Sequence, residues 1–288
     1  MPASTGAVPS VSPVSPAIGA EVAGIDLAAP IADDQVRTLR ALLLEHEVLF
    51  FRAQQLTPAQ LVALARRFGQ PQAAAESSFA KFAAFPEIDV LEFDRDHPPH
   101  NTRELWHTDF SGREQPTLGS LLYAVDVPAV GGDTVWVSLS AAWAGLSAPL
   151  QHYLEGMQAE HHTWKGFGDD IRQALWQTDA GRRRRAELVD LPPVLHPVVR
   201  RHPESGRPAL FVNEGFTTRL AGIPRAESDA ILGYLFQHSL KPEYQCRLRW
   251  APGTLAIWDN RSTKHYALAD YTEHRLHYRI TLQGDRPR

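Results

Sequence analysis

Leu118-Gly119-Ser120-Leu121-Leu122-Tyr123-Ala124-Val125-Asp126-Val127, then Pro128-Ala129-Val130-Gly131-Gly132, then Asp133-Thr134-Val135-Trp136-Val137, is the stretch that decides the fold. Two short β-rich runs are separated by proline and glycine rather than by a crossover helix. The same grammar recurs at 88–93, 209–213, 244–250, 254–258 and 276–282. Many short strands without a regular βαβ alternation predict a mainly β protein with helical insertions, an antiparallel sandwich of jelly-roll type.

The insertions announce themselves by capping and periodicity. Asp33 or Asp34 is placed to cap a helix running toward Glu45, with Val36, Leu39, Leu43 and Leu44 on one face. Val48-Leu49-Phe50-Phe51 reads as a buried strand. Thr57-Pro58 and Gly69 bracket a second helix whose core face is Leu61, Leu64, Ala65 and Phe68. A further helix is expected at Pro224–Leu240, and 140–190 reads as mixed and mainly helical. Residues 1–16 are Pro, Ser, Ala and Val without a period, which predicts a flexible tail ahead of one domain at 17–288.

Composition narrows the function classes. The chain has 288 residues, enough for one large domain with a well-buried core. Its 43% hydrophobic and 22% charged content is ordinary for a globular protein. A net charge of −4 gives no basic field for a nucleic-acid backbone. No apolar run approaches the roughly 18 residues of a membrane span, and no secretory signal is visible. The single cysteine, Cys246, excludes an intrachain disulfide framework and suits a reducing cytoplasm. Cys246 itself reads as strand packing, and Arg182-Arg183-Arg184-Arg185 as a solvated turn.

Chemistry concentrates around Leu105-Trp106-His107-Thr108-Asp109-Phe110. In an extended segment residues i and i+2 point to one side, so His107 and Asp109 can grip the same ion. A second imidazole, His265, would complete a facial triad of two His and one carboxylate, which holds non-haem Fe(II) and leaves positions for oxygen and an organic co-substrate. Zinc tolerates the same ligands, but nothing in the chain supplies the general base that a zinc hydrolase adds. No nucleophile elbow, Walker loop or dinucleotide fingerprint occurs.

Two arginines extend the pattern. If 275–280 is extended, Arg275 and Arg279 share a face about 13 Å apart, which suits two anions on either side of a metal. Fe(II) with Asp109 leaves one positive charge, so a dianionic keto acid and a monoanionic substrate balance against two arginines. Thr134, after the Gly131-Gly132 turn, could donate to a carboxylate held by Arg275. The remaining histidines, such as His161, His196, His202 and His277, read as surface or packed imidazoles.

Trp106-His107-Thr108-Asp109, Gly131-Gly132-Asp133-Thr134, 210–219 and 257–266 together resemble the taurine/2-oxoglutarate dioxygenase family, from about residue 15 to the C-terminus. The resemblance implies a double-stranded β-helix of cupin-like type, with Fe(II) held by His107, Asp109 and His265 and with 2-oxoglutarate and O2 as co-substrates. It assigns Thr134 and Arg275 to the far carboxylate of 2-oxoglutarate. It assigns Arg279, Phe216, Phe167 and Asn101 to a small anionic organic substrate. The implied reaction hydroxylates the carbon next to a sulfonate or sulfate ester, with an aryloxyalkanoate or other organic acid as the alternative substrate. A binding protein that keeps the metal without turnover is a third reading, and a homo-oligomer, dimer or tetramer, is expected. The resemblance to the taurine branch implies a histidine in the loop after the second helix. Residues 70–85 contain none, and Ser77, Ser78 and Lys81 are candidates to replace it.

Overall fold

Strand β3 (Val48–Phe51) is buried at all four positions, and its side chains alternate between two separate cores. The computed structural model describes residues 9–72, 80–95, 105–166 and 191–288, with the backbone alone for Lys81. Leu49 and Phe51 face helices α1 (Asp33–His46) and α2 (Pro58–Phe68), where they meet Leu39, Leu43, Leu61, Leu64 and Phe68. Val48 and Phe50 face the other way, toward Trp136, Cys246, Leu248, Trp250 and Trp258. A strand covered on both faces has no polar side to present, so it reads as a continuous apolar run. Burial of each such side chain stabilises by roughly 1.5–3 kcal/mol.

The large sheet holds eight strands. In spatial order they are β1 (Ser10–Pro13), β2 (Ala20–Ala23), β3, β14 (Leu255–Asp259), β6 (Gly119–Asp126), β16 (Arg275–Leu282), β5 (Phe85–Phe93) and β4 (Ala80–Phe82). All neighbours pair antiparallel except β2 with β3. A smaller antiparallel sheet, β13 (Gln245–Leu248), β7 (Thr134–Ser138) and β15 (Thr263–Ala267), contributes Trp136, Cys246 and Leu248 to the second core. This two-sheet sandwich is the expected jelly roll. Beyond it lie β12 (Thr217–Leu220), β8 (Gln158–His161) and β9 (Val194–Pro197), the hairpin β10 (Val199–Arg201) with β11 (Pro208–Leu210), and helices α3 (Leu139–Ala144), α4 (Ala148–Leu154) and α5 (Arg225–Ser239). Leu139, Leu210, Leu220, Leu232 and Leu235 form a third core there.

Several local expectations are met closely. Thr57 Oγ1 accepts from the Gln60 N–H, Pro58 opens α2, and Gly69 ends it. Cys246 is buried in β13, and burial pushes its thiol up to about 12, far from a nucleophile.

Three expectations are corrected. Ser10–Pro13 is a strand rather than part of a flexible tail, because it pairs with Ala20–Ala23 and lays Val11 against the helical core. The N-cap of α1 is Ala32, whose N–H donates to Gln35 Oε1 at 2.9 Å. Asp33 and Asp34 sit in the first turn, where their charge favours the helix dipole. Strand β8 lies inside the stretch read as mainly helical, with its hydrogen bonds supplied by β9 and β12 far along the chain. The Arg182–Arg185 run lies outside the described residues.

One buried carboxyl sets a pH dependence. Glu47 ends α1 in the left-handed region (φ 65°), and its carbonyl accepts from the Asp259 N–H at 3.0 Å. Its side chain is buried, with Arg207 Nη2 3.9 Å from Oε1 and no hydrogen-bond partner for Oε2 among the described residues. Burial raises this carboxyl to about 7, against the smaller opposing pulls of Ser140, Ser138 and Arg207. A folded pKa above the unfolded one means that stability falls as pH rises from about 4.5 to about 7, while the unfolded chain ionises and the folded one resists. Glu47→Gln is therefore expected to gain on the wild type by on the order of 3 kcal/mol between about pH 4 and pH 8. Denaturant unfolding of both proteins across that range measures the difference, and parallel curves would refute it.

Candidate metal centre and its flanking anion sites

His265 enters the site from β15, and His107 from an isolated bridge formed directly against it. The two residues exchange backbone hydrogen bonds, His107 N–H to His265 O at 3.0 Å and His265 N–H to His107 O at 2.8 Å. Their rings therefore lie side by side, 4.3 Å between centroids. Asp109 follows in a turn rather than in extended chain, and Phe110 next to it has φ 54°. Backbone strain of this kind, held by its surroundings, is common at functional sites. Here Thr108 Oγ1 donates to Thr263 O, and Thr117 Oγ1 donates to Asp109 O.

The ligand atoms of His107, Asp109 and His265 lie within 4.8 Å of one another. Asp109 Oδ1 is 3.6 Å from His107 Nε2 and 3.9 Å from His265 Nε2. Each group is prepared for a cation. His107 Nδ1 lies 2.7 Å from Leu105 O, which fixes the proton there and leaves the Nε2 lone pair pointing into the site. Burial, with His107 beside it, lowers His265 to about 3 despite the opposing pull of Asp109, so its imidazole is neutral and free to ligate. Burial would raise Asp109, but His265, His107 and Arg279 together hold it well below the usual carboxylate range. Its other oxygen, Oδ2, accepts from Ser120 Oγ at 2.8 Å, and Ser120 is in turn held by Asn260. Two imidazoles with ring nitrogens facing the site, and one ionised carboxylate with an outer partner, fit a divalent metal ion.

On β16 the buried residues Arg275, His277 and Arg279 share the sandwich face, as the alternation predicts. Arg275 is 4% exposed and has no carboxylate partner among the described residues. Its Nη2 donates weakly to Gly132 O at 3.4 Å, its Nε has no partner there, and the Tyr271 ring lies 5.6 Å away. A buried guanidinium left in this state calls for an anion. Thr134, 2% exposed, starts β7 as expected, and its Oγ1 accepts from Trp250 Nε1–H at 3.0 Å. That bond occupies the oxygen and leaves the hydroxyl proton to be donated elsewhere. His277 packs edge-on to Trp250, and burial together with Arg275 keeps it neutral, so it adds no third cation.

Arg279 stands beside the metal residues, with Nη1 3.7 Å from Asp109 Oδ1. It is also paired with Asp89 of β5, a contact that sequence reasoning missed. The only signal was an acidic residue within an apolar β run, Ile88-Asp89-Val90-Leu91. Trp250 and Ser120 were missed as well, since a hydrogen bond to a distant side chain has no local mark. Phe216 is half-buried in a loop whose Gly215 N–H donates to Trp106 O at 3.0 Å. A Cβ on Gly215 would lie 2.9 Å from the His107 Cβ, so only glycine lets this loop pass so near the metal residues. Phe167 and Asn101 lie outside the described residues, as do Ser77 and Ser78 and the side chain of Lys81.

A jelly roll with a His–Asp–His cluster and two buried arginines on one strand fits a metal-dependent enzyme class that handles anions. Residues 10–281 match the family described as "Taurine catabolism dioxygenase TauD, TfdA family". The chain is 34% identical to an alpha-ketoglutarate-dependent sulfate ester dioxygenase of Pseudomonas putida, over 96% of this chain and 90% of that protein. It is also 34% identical to the alpha-ketoglutarate-dependent 2,4-dichlorophenoxyacetate dioxygenase of Cupriavidus pinatubonensis, over 88% of this chain and 90% of that one. The crystal structure of a taurine dioxygenase from Burkholderia xenovorans superposes with a TM-score of 0.82 at 34% identity, covering 97% and 90% of the two chains. The chain belongs to the TauD/TfdA family. It is a 2-oxoglutarate-dependent dioxygenase with the cupin-like jelly-roll fold. No helix among the described residues is long and apolar enough to cross a membrane.

Proposed function

We propose that the enzyme hydroxylates the carbon adjacent to a sulfonate or sulfate ester of a small organic anion, releasing sulfite or sulfate and an aldehyde. The observation that carries this reading is Arg279, a buried guanidinium beside Asp109 and separate from Arg275. His107, Asp109 and His265 hold Fe(II). With 2-oxoglutarate and O2 bound, the metal supplies the oxidation, and 2-oxoglutarate leaves as succinate and carbon dioxide. The chain's own part is placement. Arg275 and the Thr134 hydroxyl hold the far carboxylate of 2-oxoglutarate, and Trp250 aims that hydroxyl. Arg279 holds the substrate's anionic head, and Phe216 meets its body, to which the family resemblance also assigns Phe167 and Asn101. The surrounding sandwich core keeps water away. A homo-oligomer in the cytoplasm completes this reading.

The relatives named for sulfate ester and 2,4-dichlorophenoxyacetate substrates support a single anionic head in either case. The absence of histidine from 70–85 favours a sulfate ester or a bulkier sulfonate over taurine. The test is a panel of alkyl sulfates, sulfonates and aryloxyacetates with Fe(II) and 2-oxoglutarate, followed by oxygen uptake and product analysis. Sulfate or sulfite release coupled to succinate is expected. Phenol release instead would move the assignment to aryloxyalkanoates, and no substrate-dependent oxygen uptake across the panel would overturn it.

A further inference from the structure

His277 on β16 is fully buried, and neither of its ring nitrogens has a hydrogen-bond partner among the described residues. A neutral imidazole carries one N–H donor and one lone pair, so both are left unsatisfied, a state that native interiors rarely hold without a reason. Its position supplies the reason. The buried face of β16 presents Arg275, His277 and Arg279 in turn, each about 7 Å from the next along the strand. Arg279 reaches the metal residue Asp109, so the line from the metal centre to Arg275 passes His277. At the Arg275 end, the guanidinium Nε likewise has no hydrogen-bond partner among the described residues. Trp250 joins the group: its ring stands edge-on to His277, 4.8 Å between centroids, and its Nε1–H donates to Thr134 Oγ1.

We propose that His277 is a further binding residue for 2-oxoglutarate, donating its ring N–H to the far carboxylate beside Arg275 and Thr134. The inference rests on the assignment of that carboxylate to Arg275. A carboxylate offers about four lone-pair sites. The Arg275 fork fills two and the Thr134 hydroxyl a third, which leaves one for a neutral donor. Burial, with the Arg275 charge beside it, keeps His277 neutral, so it adds a hydrogen bond without a second buried cation. Trp250 touches both the imidazole and the Thr134 hydroxyl, and so fixes two donors at once.

His277→Phe keeps an aromatic ring against Trp250 and removes both nitrogens. Two effects of opposite sign are expected. The unliganded protein should be as stable as the wild type or more so, because two unsatisfied polar atoms leave the core. Affinity for 2-oxoglutarate should fall about tenfold or more, the loss of one hydrogen bond to a charged acceptor. Calorimetric titration of the anaerobic Mn(II) protein reads affinity without turnover, and denaturant unfolding reads stability. 2-Oxopentanoate has the same chain length but a methyl in place of the far carboxylate, and it localises the effect. Its affinity should be unmoved in His277→Phe, so the preference for 2-oxoglutarate narrows by the same factor.

His277→Asn and His277→Gln put an amide N–H near the places of Nδ1 and Nε2, and one of the two is expected to recover most of the loss. His277→Leu repeats both measurements should phenylalanine not be accommodated in the core. Unaltered 2-oxoglutarate affinity in the apolar variant overturns the proposal and leaves Arg275 in place, the imidazole then being met by water or merely packed. An equal fall for both keto acids overturns it as well, since the ring then acts away from the far carboxylate. No recovery in either amide variant refutes the donor. Unaltered 2-oxoglutarate affinity in Arg275→Ala removes the arginine's assignment, and that of His277 falls with it.

Discussion

Replacing His107, Asp109 or His265 by Ala is expected to abolish substrate-dependent succinate formation. Each contributes one of the three ligand atoms found together among the described residues, all within 4.8 Å of one another. Removing an outer-shell partner of a metal ligand already costs about 10–100-fold in metal affinity, and loss of a ligand itself should exceed that. The three variants should differ in a second respect. Without Asp109, the Ser120 hydroxyl loses its acceptor, Arg279 loses a facing carboxylate, and the centre loses its one anionic ligand among the described residues. Asp109→Ala should therefore lose metal most completely. His107→Ala removes the most exposed of the three side chains and should disturb the fold least. Anaerobic Fe(II) or Mn(II) titration, read by calorimetry with unfolding temperature as a control, measures both effects. Wild-type metal affinity in any of the three would remove that residue from the centre.

The helices and the metal residues were legible in the sequence because their signals are local. Thr57, Pro58 and Gly69 mark the ends of α2 within the helix's own span, and His107 with Asp109 announces a shared target within three residues. The strand that delivers His265 was not legible. In β15, Thr263-Lys264-His265-Tyr266-Ala267, a lysine stands where a buried apolar residue would be expected, and yet Lys264 is fully buried. It is satisfied from elsewhere, by both oxygens of Glu214 at 2.8 Å and by the rings of Trp106 and Phe236, each 5.8 Å away. A buried charge whose partner is fifty positions away looks like a surface charge in sequence. Asp89 hid for the same reason, and so did His202, which reads as an ordinary imidazole but lies buried 3.0 Å from Asp259. What the chain conceals is the pairing of polar groups across elements. That pairing decides which arginine stands free and which is already held.

The difference between the two arginines yields the other large expected effect. Arg275→Ala should raise the 2-oxoglutarate requirement by roughly ten- to 150-fold, the equivalent of about 1.5–3 kcal/mol for one charge-assisted contact, and leave the substrate requirement nearly unchanged. Arg279→Ala should show the reverse preference. Their effects on the resting protein should also be opposite. Arg275 is a buried cation with no carboxylate partner among the described residues, and burial already pulls its pKa down, so its removal should cost little stability or add some. Arg279 is bound to Asp89, so its removal takes a cation away from a buried carboxylate and should destabilise the fold. Kinetic constants for both ligands, measured beside unfolding free energies, give three numbers for each variant. A buried cation with no carboxylate beside it among the described residues and a cation already paired in place predict opposite signs in the stability column. If the two variants lose 2-oxoglutarate and substrate affinity equally, or if Arg275→Ala proves the less stable protein, the two arginines do not serve separate anions.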